Sequence, residues 1–451
     1  MIRSAYSLLM LAAVPFFRRK LQRRGLAEPG YLEAAPERFG RYGAPTEPGR
    51  LWIHAVSLGE TRAAAILIAA LRRQQPGVRI LLTHGTATGR AEGRRLLGPG
   101  DAQAWLPWDV PAAVDRFLLH FRPGLGVLME TEIWPNLVAG CGARGVPLVL
   151  ANARLSEKSM RQALRIAPLS RPAYAALAAV WAQTAADAAR LARVGAQVAG
   201  VLGNLKFDAV PEPALLAQGQ AWRARSGRTV ILLASSRDGE EAALLRLLQP
   251  PREPEPRQQP APEARDEAGA SAVQWLIVPR HPQRFDEVAA LAAAAGFSVS
   301  QRSAWGAGGP AAAAQLWIGD SVGEMPAYYS LARVALLGGS FEPLGGQNLI
   351  EAAAFGCPVV MGPHTFNFAE AAQQAQAGGA ALRANSMEEA VSQALALARD
   401  AQRHAEAVQA AVAFAAAHRG AAEQTARAVL GLLAPAGVRA SVVMDAGARP
   451  A

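Results

Sequence analysis

Residues 51–61 read Leu-Trp-Ile-His-Ala-Val-Ser-Leu-Gly-Glu-Thr, and this stretch sets the pattern for the rest of the chain. A short apolar run ends in a loop that contains serine and glycine, and a helical stretch begins near Thr61. A run that is apolar on both faces predicts a strand buried inside a parallel sheet, because crossover helices cover both faces of such a sheet. The stretch therefore predicts one strand–loop–helix unit of an α/β fold.

The same pattern repeats along both halves of the 451-residue chain. A chain of this length favours two domains of roughly 200 residues each. We predict two facing Rossmann-like, doubly wound domains, with a cleft at the carboxyl ends of both sheets. The predicted strands are Leu51 to Val56, Val78 to Thr83, Leu125 to Met129, Val146 to Ala151, Ala179 to Ala182 and Val198 to Leu202, then Val230 to Ala234, Val273 to Val278, Gln315 to Ile318, Val334 to Leu337 and Pro358 to Met361.

Composition divides the chain further. The stretch rich in Pro, Glu, Arg and Gln within the second half predicts a surface insertion without packed structure, and the C-terminal residues predict a disordered tail. The predicted segments are an N-terminal anchor or interfacial helix at 1–25, a first domain at 26–205, a second domain at 206–433 with the insertion at 250–271, and a tail at 434–451.

The formal net charge of +10 favours an anionic partner. Nucleic acid is disfavoured, because the sequence has no zinc finger, aromatic-rich RNA-binding run or basic helix with a dimerisation heptad. The two cysteines, Cys141 and Cys357, lie far apart and outside any metal-binding spacing. We interpret both as core residues in a reducing compartment.

The N-terminus favours a membrane surface as the anionic partner. An apolar run from Ala5 to Phe17 is followed at once by a basic cluster between Arg18 and Arg24. The run is at the lower limit for spanning a bilayer, so an interfacial helix, a short signal anchor and a helix packed on the protein body all remain open. Each basic residue near an anionic leaflet contributes on the order of 1 kcal/mol, which would hold this end at the cytoplasmic face.

Glu60 is the first candidate catalytic residue. It follows a predicted strand and stands at the start of a helix, where the backbone dipole favours a carboxylate. A carboxylate on the floor of a cleft is suited to act as a general base. Capping of its own helix explains the same position without catalysis.

Two further strand ends carry charges that suggest chemistry on a sugar. Glu130 and Glu132 follow one strand, where a carboxylate is suited to stabilise positive charge developing on a sugar ring or to position the acceptor, although a structural role with Arg154 remains open. Lys206 lies near the predicted domain junction and is suited to neutralise a phosphate leaving group. Pairing with Asp208 in a hinge is the alternative.

Four loops of the second half point to a nucleotide. They contain hydroxyls, glycines or cations directly after predicted strands, at residues 235–241, 279–282, 319–325 and 338–351. Glycines allow backbone amides to approach a phosphate at a helix start, and Glu351 in the first helical turn is suited to bind ribose hydroxyls. Walker A and dinucleotide-binding fingerprints are absent from the sequence, so ATPases and NAD enzymes fit poorly. Metal-ligand spacing is absent too, and cationic side chains and helix ends are expected to replace a metal ion.

Taken together, these motifs resemble the Kdo (3-deoxy-D-manno-octulosonic acid) transferases, which have the GT-B glycosyltransferase fold. The resemblance runs from about Leu51 to Glu370. It departs from the family pattern at Gln347 and Leu349, where His and Pro are expected. The motifs are His-Ala-Val-Ser-Leu-Gly-Glu at 54–60, Met-Glu-Thr-Glu-Ile-Trp-Pro-Asn at 129–136, Gly-Asn-Leu-Lys-Phe-Asp at 203–208, Pro-Arg-His-Pro at 279–282 and Met-Gly-Pro-His-Thr-Phe-Asn-Phe at 361–368.

The resemblance implies an inverting, metal-independent transfer of Kdo from CMP-Kdo to a lipid A precursor, lipid IVA, in lipopolysaccharide biosynthesis at the cytoplasmic face of the inner membrane, with release of CMP and no cofactor. It implies that Glu60 is the catalytic base and that Glu130 and Lys206 stabilise the transition state. The implied CMP contacts are Arg280, His281, Val322, Gly323, Glu324, Asn348, Leu349, Ile350 and Glu351.

Two alternatives remain open from the residues alone. A nucleotide-sugar epimerase of the same architecture would need neither a membrane segment nor a lipid acceptor. A basic, non-enzymatic adaptor for membranes or nucleic acid would bind anions without releasing CMP.

Overall fold

The computed structural model describes residues 2–43, 46–209, 212–249, 273–306, 308–311 and 313–433. The predicted insertion at 250–271 and the predicted tail at 434–451 lie outside these residues. The described residues form two compact units: one lies within Met1–Asp208 and Arg419–Ala451, and the other is Ala209–His418. Each unit is an α/β structure around one parallel sheet, which confirms the predicted fold class.

The first unit contains a seven-stranded parallel sheet in the order β3-β2-β1-β4-β5-β6-β7. Its strands are β1 Leu51–His54, β2 Ile80–His84, β3 Ala102–Trp105, β4 Leu125–Met129, β5 Leu148–Ala153, β6 Ala179–Ala182 and β7 Val198–Val201. Its helices are α1 Ile2–Ala12, α2 Val14–Ala27, α3 Leu58–Gln74, α4 Ala87–Arg94, α5 Pro111–Phe121, α6 Pro135–Ala143, α7 Glu157–Arg165, α8 Ala167–Ala175 and α9 Ala185–Arg193.

Helices cover both faces of this sheet because alternate side chains of each strand point in opposite directions. Trp52 of β1 belongs to one buried cluster, with Phe117 of α5, whereas Leu51 and Ile53 belong to the cluster that includes Leu67 of α3. The central strands are buried on both faces, and this explains their continuous apolar sequence.

The second unit contains a seven-stranded parallel sheet in the order β10-β11-β9-β8-β12-β13-β14. Its strands are β8 Thr229–Ser236, β9 Val273–Pro279, β10 Val299–Gln301, β11 Leu316–Ile318, β12 Val334–Leu337, β13 Val359–Met361 and β14 Ala381–Arg383. Its helices are α10 Pro213–Ser226, α11 Glu240–Leu248, α12 Phe285–Ala294, α13 Met325–Leu331, α14 Leu349–Ala354, α15 Ala369–Ala377, α16 Met387–Arg399 and α17 Ala401–Ala417.

Three strands escape the sequence prediction, and all three lie at sheet edges: β3 in the first unit, and β10 and β14 in the second. An edge strand is paired on one side only and is less completely buried, so its sequence mixes polar and apolar residues. Gln103 in β3 and Gln301 in β10 illustrate this mixing. Continuous apolar runs therefore mark the interior strands, and these three edge strands lack them.

The C-terminal helix α18, Ala421–Leu433, belongs to the first unit, whereas the sequence prediction placed residues up to 433 in the second domain. Ala422, Ala426 and Val429 of α18 join the buried cluster that contains Leu67 and Leu71 of α3. The small residues of α18 allow close packing on α3. This long-range contact leaves no local signal in the sequence, and the boundary near residue 205 likewise moves to Asp208.

The N-terminal helix α1 contacts the first unit through two side-chain hydrogen bonds. The Tyr6 hydroxyl donates to Asp109 Oδ2 at 2.9 Å, and the Ser7 hydroxyl donates to Asn136 Oδ1 at 2.8 Å. No residue of α1 is buried. Among the described residues, no helix combines the length and the apolar character needed to cross a bilayer. Helices α1 and α2 expose large apolar side chains, namely Ile2, Leu8, Leu9, Leu11, Phe16 and Leu26.

Candidate functional site

Glu60 lies in the first turn of α3, directly beyond the carboxyl end of β1. Ser57 is the N-cap of the helix, and its hydroxyl accepts a hydrogen bond from the Glu60 backbone amide at 3.3 Å. The Glu60 carboxylate reaches back and accepts from the Val56 backbone amide at 2.6 Å. This reciprocal arrangement is close to a capping box, so it fixes the carboxylate at the helix start.

The electrostatic surroundings raise the pKa of the Glu60 carboxyl. Burial is the largest cause, and the nearby carboxylates of Glu130 and Glu132 raise the pKa further, while hydrogen bonds from Val56 and Ser57 lower it. The resulting pKa is about 7. A carboxyl with this pKa is close to half deprotonated at neutral pH, which suits it to accept and release a proton. Helix capping and general-base catalysis are therefore compatible roles for this side chain.

Glu130 and Lys206 form an ion pair within the first unit. The Lys206 Nζ lies 3.4 Å from Glu130 Oε1, and the Arg154 Nε lies 2.8 Å from Glu130 Oε2. Only 3% of Glu130 is exposed. A buried carboxylate is costly unless cations and hydrogen-bond donors compensate it. The two cations supply this compensation. The alternative pairing of Glu130 with Arg154 is therefore present, and the contact with Lys206 is one that the sequence did not predict.

The backbone at Glu130 adopts a left-handed conformation, with φ of 60°. Such a conformation costs a residue with a side chain on the order of 1 kcal/mol or more. Hydrogen bonds hold it: the Glu130 amide donates to the Ala151 carbonyl at 3.0 Å, and the Arg154 amide donates to the Glu130 carbonyl at 3.1 Å. The strained backbone turns the Glu130 side chain toward its two cations.

A second strained residue, Asn152, positions the segment that contains Lys206. Asn152 has φ of 51°, and its side-chain oxygen accepts from the Leu205 backbone amide at 3.1 Å. The predicted alternative partner of Lys206, Asp208, has another function in the structure. Its carboxylate accepts from the backbone amides of Gly420 and Ala422 at 2.5 and 2.6 Å and so caps the start of α18.

In the second unit, one hydrogen bond joins two of the predicted nucleotide-binding loops. Arg280 follows β9, and its Nε donates to the side-chain oxygen of Gln347 at 3.2 Å. His281 next to it is exposed, and partial burial and the positive charges of Arg237, Arg280 and Arg284 lower its pKa. The loops therefore form a cationic surface, and Gln347 supports it through Arg280.

The predicted contact residues at the start of α14 differ in how far they are exposed. Asn348 is the N-cap of this helix, and its side chain accepts from the Ile350 amide at 3.2 Å. Leu349 and Ile350 are buried as whole residues, and the Ile350 amide already has Asn348 as its partner. Glu351 lies in the first turn, as the sequence predicts.

The loop after β11 is open at its tip and fixed at its end. Val322 is 65% exposed, and Gly323 has φ of 90° with no atom within 4 Å of the position that a Cβ would occupy. The Glu324 carboxylate is held by Arg302 through two contacts of 2.8 Å and by the Ser321 hydroxyl at 2.6 Å. Glu324 therefore already has protein partners, and the glycine beside it leaves the backbone accessible.

Glu240 organises the second unit's loops, and the sequence analysis did not single it out. It is completely buried, and its carboxylate accepts from the backbone amides of Arg237, Gly339 and Phe341 at 2.9, 2.8 and 3.1 Å. Burial raises its pKa, and these hydrogen bonds oppose the rise. The adjacent acids Glu240 and Glu241 at a helix start were the available sequence signal.

The two parallel, doubly wound sheets, with their polar loops at the carboxyl ends of the strands, place this chain in the GT-B class of glycosyltransferase folds. A solved glycosyltransferase from Rickettsia africae ESF-5 shares the fold with a TM-score of 0.55 and 11% identity over 86% of this chain and 99% of that one.

Sequence comparison then gives the family. The chain is 46% identical to the 3-deoxy-D-manno-octulosonic acid transferase of Bordetella pertussis over 94% of this chain and 97% of that protein. It is 32% identical to the 3-deoxy-D-manno-octulosonic acid transferase of Haemophilus influenzae over 82% of this chain and 84% of that protein. A family model of 3-deoxy-D-manno-octulosonic-acid transferase also matches residues 33–209. The chain belongs to the Kdo transferase family and is a glycosyltransferase, which decides against the epimerase and adaptor alternatives.

Proposed function

We propose that this glycosyltransferase moves Kdo from CMP-Kdo to a lipid A precursor, lipid IVA, with inversion at the anomeric carbon and release of CMP. In this reaction the Glu60 carboxylate takes the proton from an acceptor hydroxyl while that oxygen forms a bond to the anomeric carbon. The bond from that carbon to the phosphate oxygen of CMP breaks, and the electron pair leaves with the phosphate.

The observation that carries this proposal is the position of Glu60, a partly buried carboxyl with a pKa of about 7 within electrostatic reach of Glu130. A base is most effective when its pKa is near the working pH. Because the helix start and the Val56 amide hold the carboxylate in place, little reorganisation is needed before it accepts a proton.

The ion pair of Glu130 with Lys206 supports a role in charge stabilisation. Substitution of a sugar at its anomeric carbon develops positive charge on the ring and negative charge on the leaving phosphate. A fixed carboxylate and a fixed ammonium group are suited to these two charges. We assign the carboxylate of Glu130 to the ring and the ammonium group of Lys206 to the phosphate.

The cationic loops of the second unit support recognition of the CMP portion. The exposed guanidinium of Arg280 is a donor for a phosphate. Glu351 is suited to accept hydrogen bonds from ribose hydroxyls. The loop from Val322 to Glu324 offers an accessible backbone for the base, because Gly323 carries no side chain.

We place the enzyme at the cytoplasmic face of the inner membrane. The support is the exposed apolar side chains of α1 and α2, such as Leu8 and Phe16, next to the basic residues that begin at Arg18. An apolar surface beside basic residues is typical of helices that lie in the interface of an anionic bilayer. Such a position would bring the enzyme to a lipid acceptor.

The test replaces Glu60 by glutamine, which keeps the size of the side chain and an oxygen for the Val56 amide. We expect kcat for CMP release in the presence of lipid IVA to fall by about 10²- to 10⁴-fold, because the base is lost. Donor binding, measured separately by calorimetry, is expected to change little.

The matched control is Glu157→Gln, which removes an exposed carboxylate from the first turn of α7 in the same unit. This control is expected to retain full turnover. Full activity of Glu60→Gln with a normally folded protein would refute the assignment of the base.

A further inference from the structure

The second unit contains a cavity of about 660 Å³ away from the predicted nucleotide-binding loops. Its floor includes Ala332 and Arg333, which immediately precede β12, and Phe355 and Gly356, which precede β13. Helices α10, α13, α14 and α17 supply the remaining lining residues. The cavity therefore lies at the amino ends of these strands, whereas the loops that carry Arg280 and Asn348 lie at the carboxyl ends.

Two arginines and a histidine line this cavity, and each is anchored to a backbone carbonyl. The Arg223 Nη2 donates to the Ala332 carbonyl at 3.1 Å, and the Arg333 Nε donates to the Ala398 carbonyl at 2.8 Å. The His404 Nε2 lies 2.9 Å from the Arg333 carbonyl. Because a carbonyl only accepts, His404 donates through Nε2, and its Nδ1 is the nitrogen that is free to gain a proton.

No aspartate or glutamate is among the described residues that line the cavity. Burial and the positive charge of Arg333 lower the pKa of Arg223. Burial also lowers the pKa of His404, and the charges of Arg333 and Arg223 lower it further. Cations gathered without a carboxylate repel one another, and a bound anion would relieve this repulsion.

Apolar side chains also line the cavity, which is partly open to solvent. They include Leu216 of α10, Phe355 after α14, and Val408 and Val412 of α17. Val412 is 49% exposed. A volume of this size lies within the range of small-molecule sites, and a few converging polar groups beside an apolar wall are typical of them.

We propose that this cavity binds a phosphate monoester that carries a short apolar chain. The phosphate contacts the guanidinium groups of Arg223 and Arg333, and the apolar chain packs on Phe355 and Val408. Two arginines match the oxygens of a phosphate better than a single point charge would. The site is separate from the residues assigned to Kdo transfer, so the proposal stands independently of that mechanism.

The test measures binding of hexyl phosphate to the full chain by isothermal titration calorimetry. Hexanol carries the same chain without charge, and inorganic phosphate carries the charge without a chain. We expect hexyl phosphate to bind at least tenfold more tightly than inorganic phosphate, and hexanol not to bind detectably. Failure of hexyl phosphate to bind at millimolar concentration would overturn the proposal.

Variants locate the binding site. The double variant Arg223→Gln, Arg333→Gln is expected to weaken hexyl phosphate binding at least tenfold while it retains Kdo transfer. The control Arg246→Gln removes one exposed positive charge from α11 of the same unit and is expected to bind as the wild type does. Equal binding by the double variant and the control would place the ligand elsewhere and overturn the proposal.

A third variant guards against a folding defect in the double variant. Gln220 is an exposed residue of the cavity wall one helical turn before Arg223, so Gln220→Glu adds a carboxylate next to the guanidinium. We expect this variant to melt at or above the wild-type temperature and to lose at least fivefold in affinity for hexyl phosphate. Unchanged affinity would contradict the proposed location.

The source of the phosphate is decided by a flotation assay with vesicles. Phosphatidic acid presents a phosphate monoester on a lipid, whereas phosphatidylcholine does not. Stronger retention of wild type than of the double variant on phosphatidic acid vesicles would identify a lipid. Equal retention, together with loss of hexyl phosphate binding in the double variant, would identify a free phosphorylated metabolite.

Discussion

Replacing Lys206 by methionine is expected to destabilise the first unit and to reduce turnover for a separate reason. The ammonium group lies 3.4 Å from Glu130 Oε1, and Glu130 is only 3% exposed. At an effective dielectric constant of about 20, the attraction is roughly 332/(20 × 3.4), or about 5 kcal/mol. Arg154 remains as a second partner of the carboxylate. We therefore expect a loss of about 3 kcal/mol, at the lower end of the range for breaking a buried pair.

A double-mutant cycle separates structure from catalysis. Glu130→Gln in the Lys206→Met background removes the carboxylate that would otherwise lack its partner. We expect the double variant to recover at least about 1 kcal/mol relative to the sum of the single changes. Its kcat is expected to remain about 10²-fold below wild type, because the charges proposed to stabilise the transition state are still missing.

Thermal melting and CMP release measure the two effects. The control is Lys158→Met, which removes an exposed lysine from α7 and is expected to change neither. Additive melting shifts would show that the two side chains do not interact in solution. Recovery of activity in the double variant would show that turnover needs neither charge, which would refute the proposed roles of both Lys206 and Glu130.

Three further changes test other parts of the structure. The pKa of the Glu60 carboxyl rises from 4.5 to about 7 on folding, so its stabilising contribution is complete below pH 4.5 and is lost as the pH rises through 7. The melting temperature of Glu60→Gln relative to wild type should therefore be higher above pH 8 than at pH 5. Equal differences in melting temperature at pH 5 and pH 8 would contradict this. Asp208→Ala removes the two backbone hydrogen bonds at the start of α18 and should lower the free energy of chemical unfolding by about 1 to 2 kcal/mol. The α18 amides should also exchange their hydrogens faster, and unchanged protection would contradict the capping role. Arg302→Gln releases the Glu324 carboxylate and should raise KM for the donor several-fold with little change in kcat, whereas a fall in kcat alone would contradict a role in donor binding.

The architecture could largely be predicted from the sequence because most strands are buried on both faces. Strands such as β1 and β4 are apolar throughout, and loops with glycine or hydroxyl groups follow them. The edge strand β14 lacks this signal and was missed. The position of α18 was also missed, because an alanine-rich helix carries no mark of the sheet on which it packs.

The candidate site could be predicted in its residues but not in its contacts. The sequence placed Glu130 and Lys206 at separate strand ends, and only the fold brings them to 3.4 Å. The left-handed backbone of Glu130 has no sequence signature, since such a conformation ordinarily favours glycine. The capping of α18 by Asp208 depends on residues more than 200 positions away, so spacing alone suggested a pairing with Lys206 instead.

The central claim is that the Glu60 carboxylate accepts the proton during Kdo transfer, and the pH dependence of single-turnover rates tests it most directly. With saturating CMP-Kdo and lipid IVA, the wild-type rate is expected to rise with an apparent pKa near 7, because the deprotonated carboxylate is the reactive form. In Glu60→Gln the residual rate is expected to lose this rise. A rise near pH 7 that persists unchanged in Glu60→Gln would assign the titrating base to another group and contradict the mechanism.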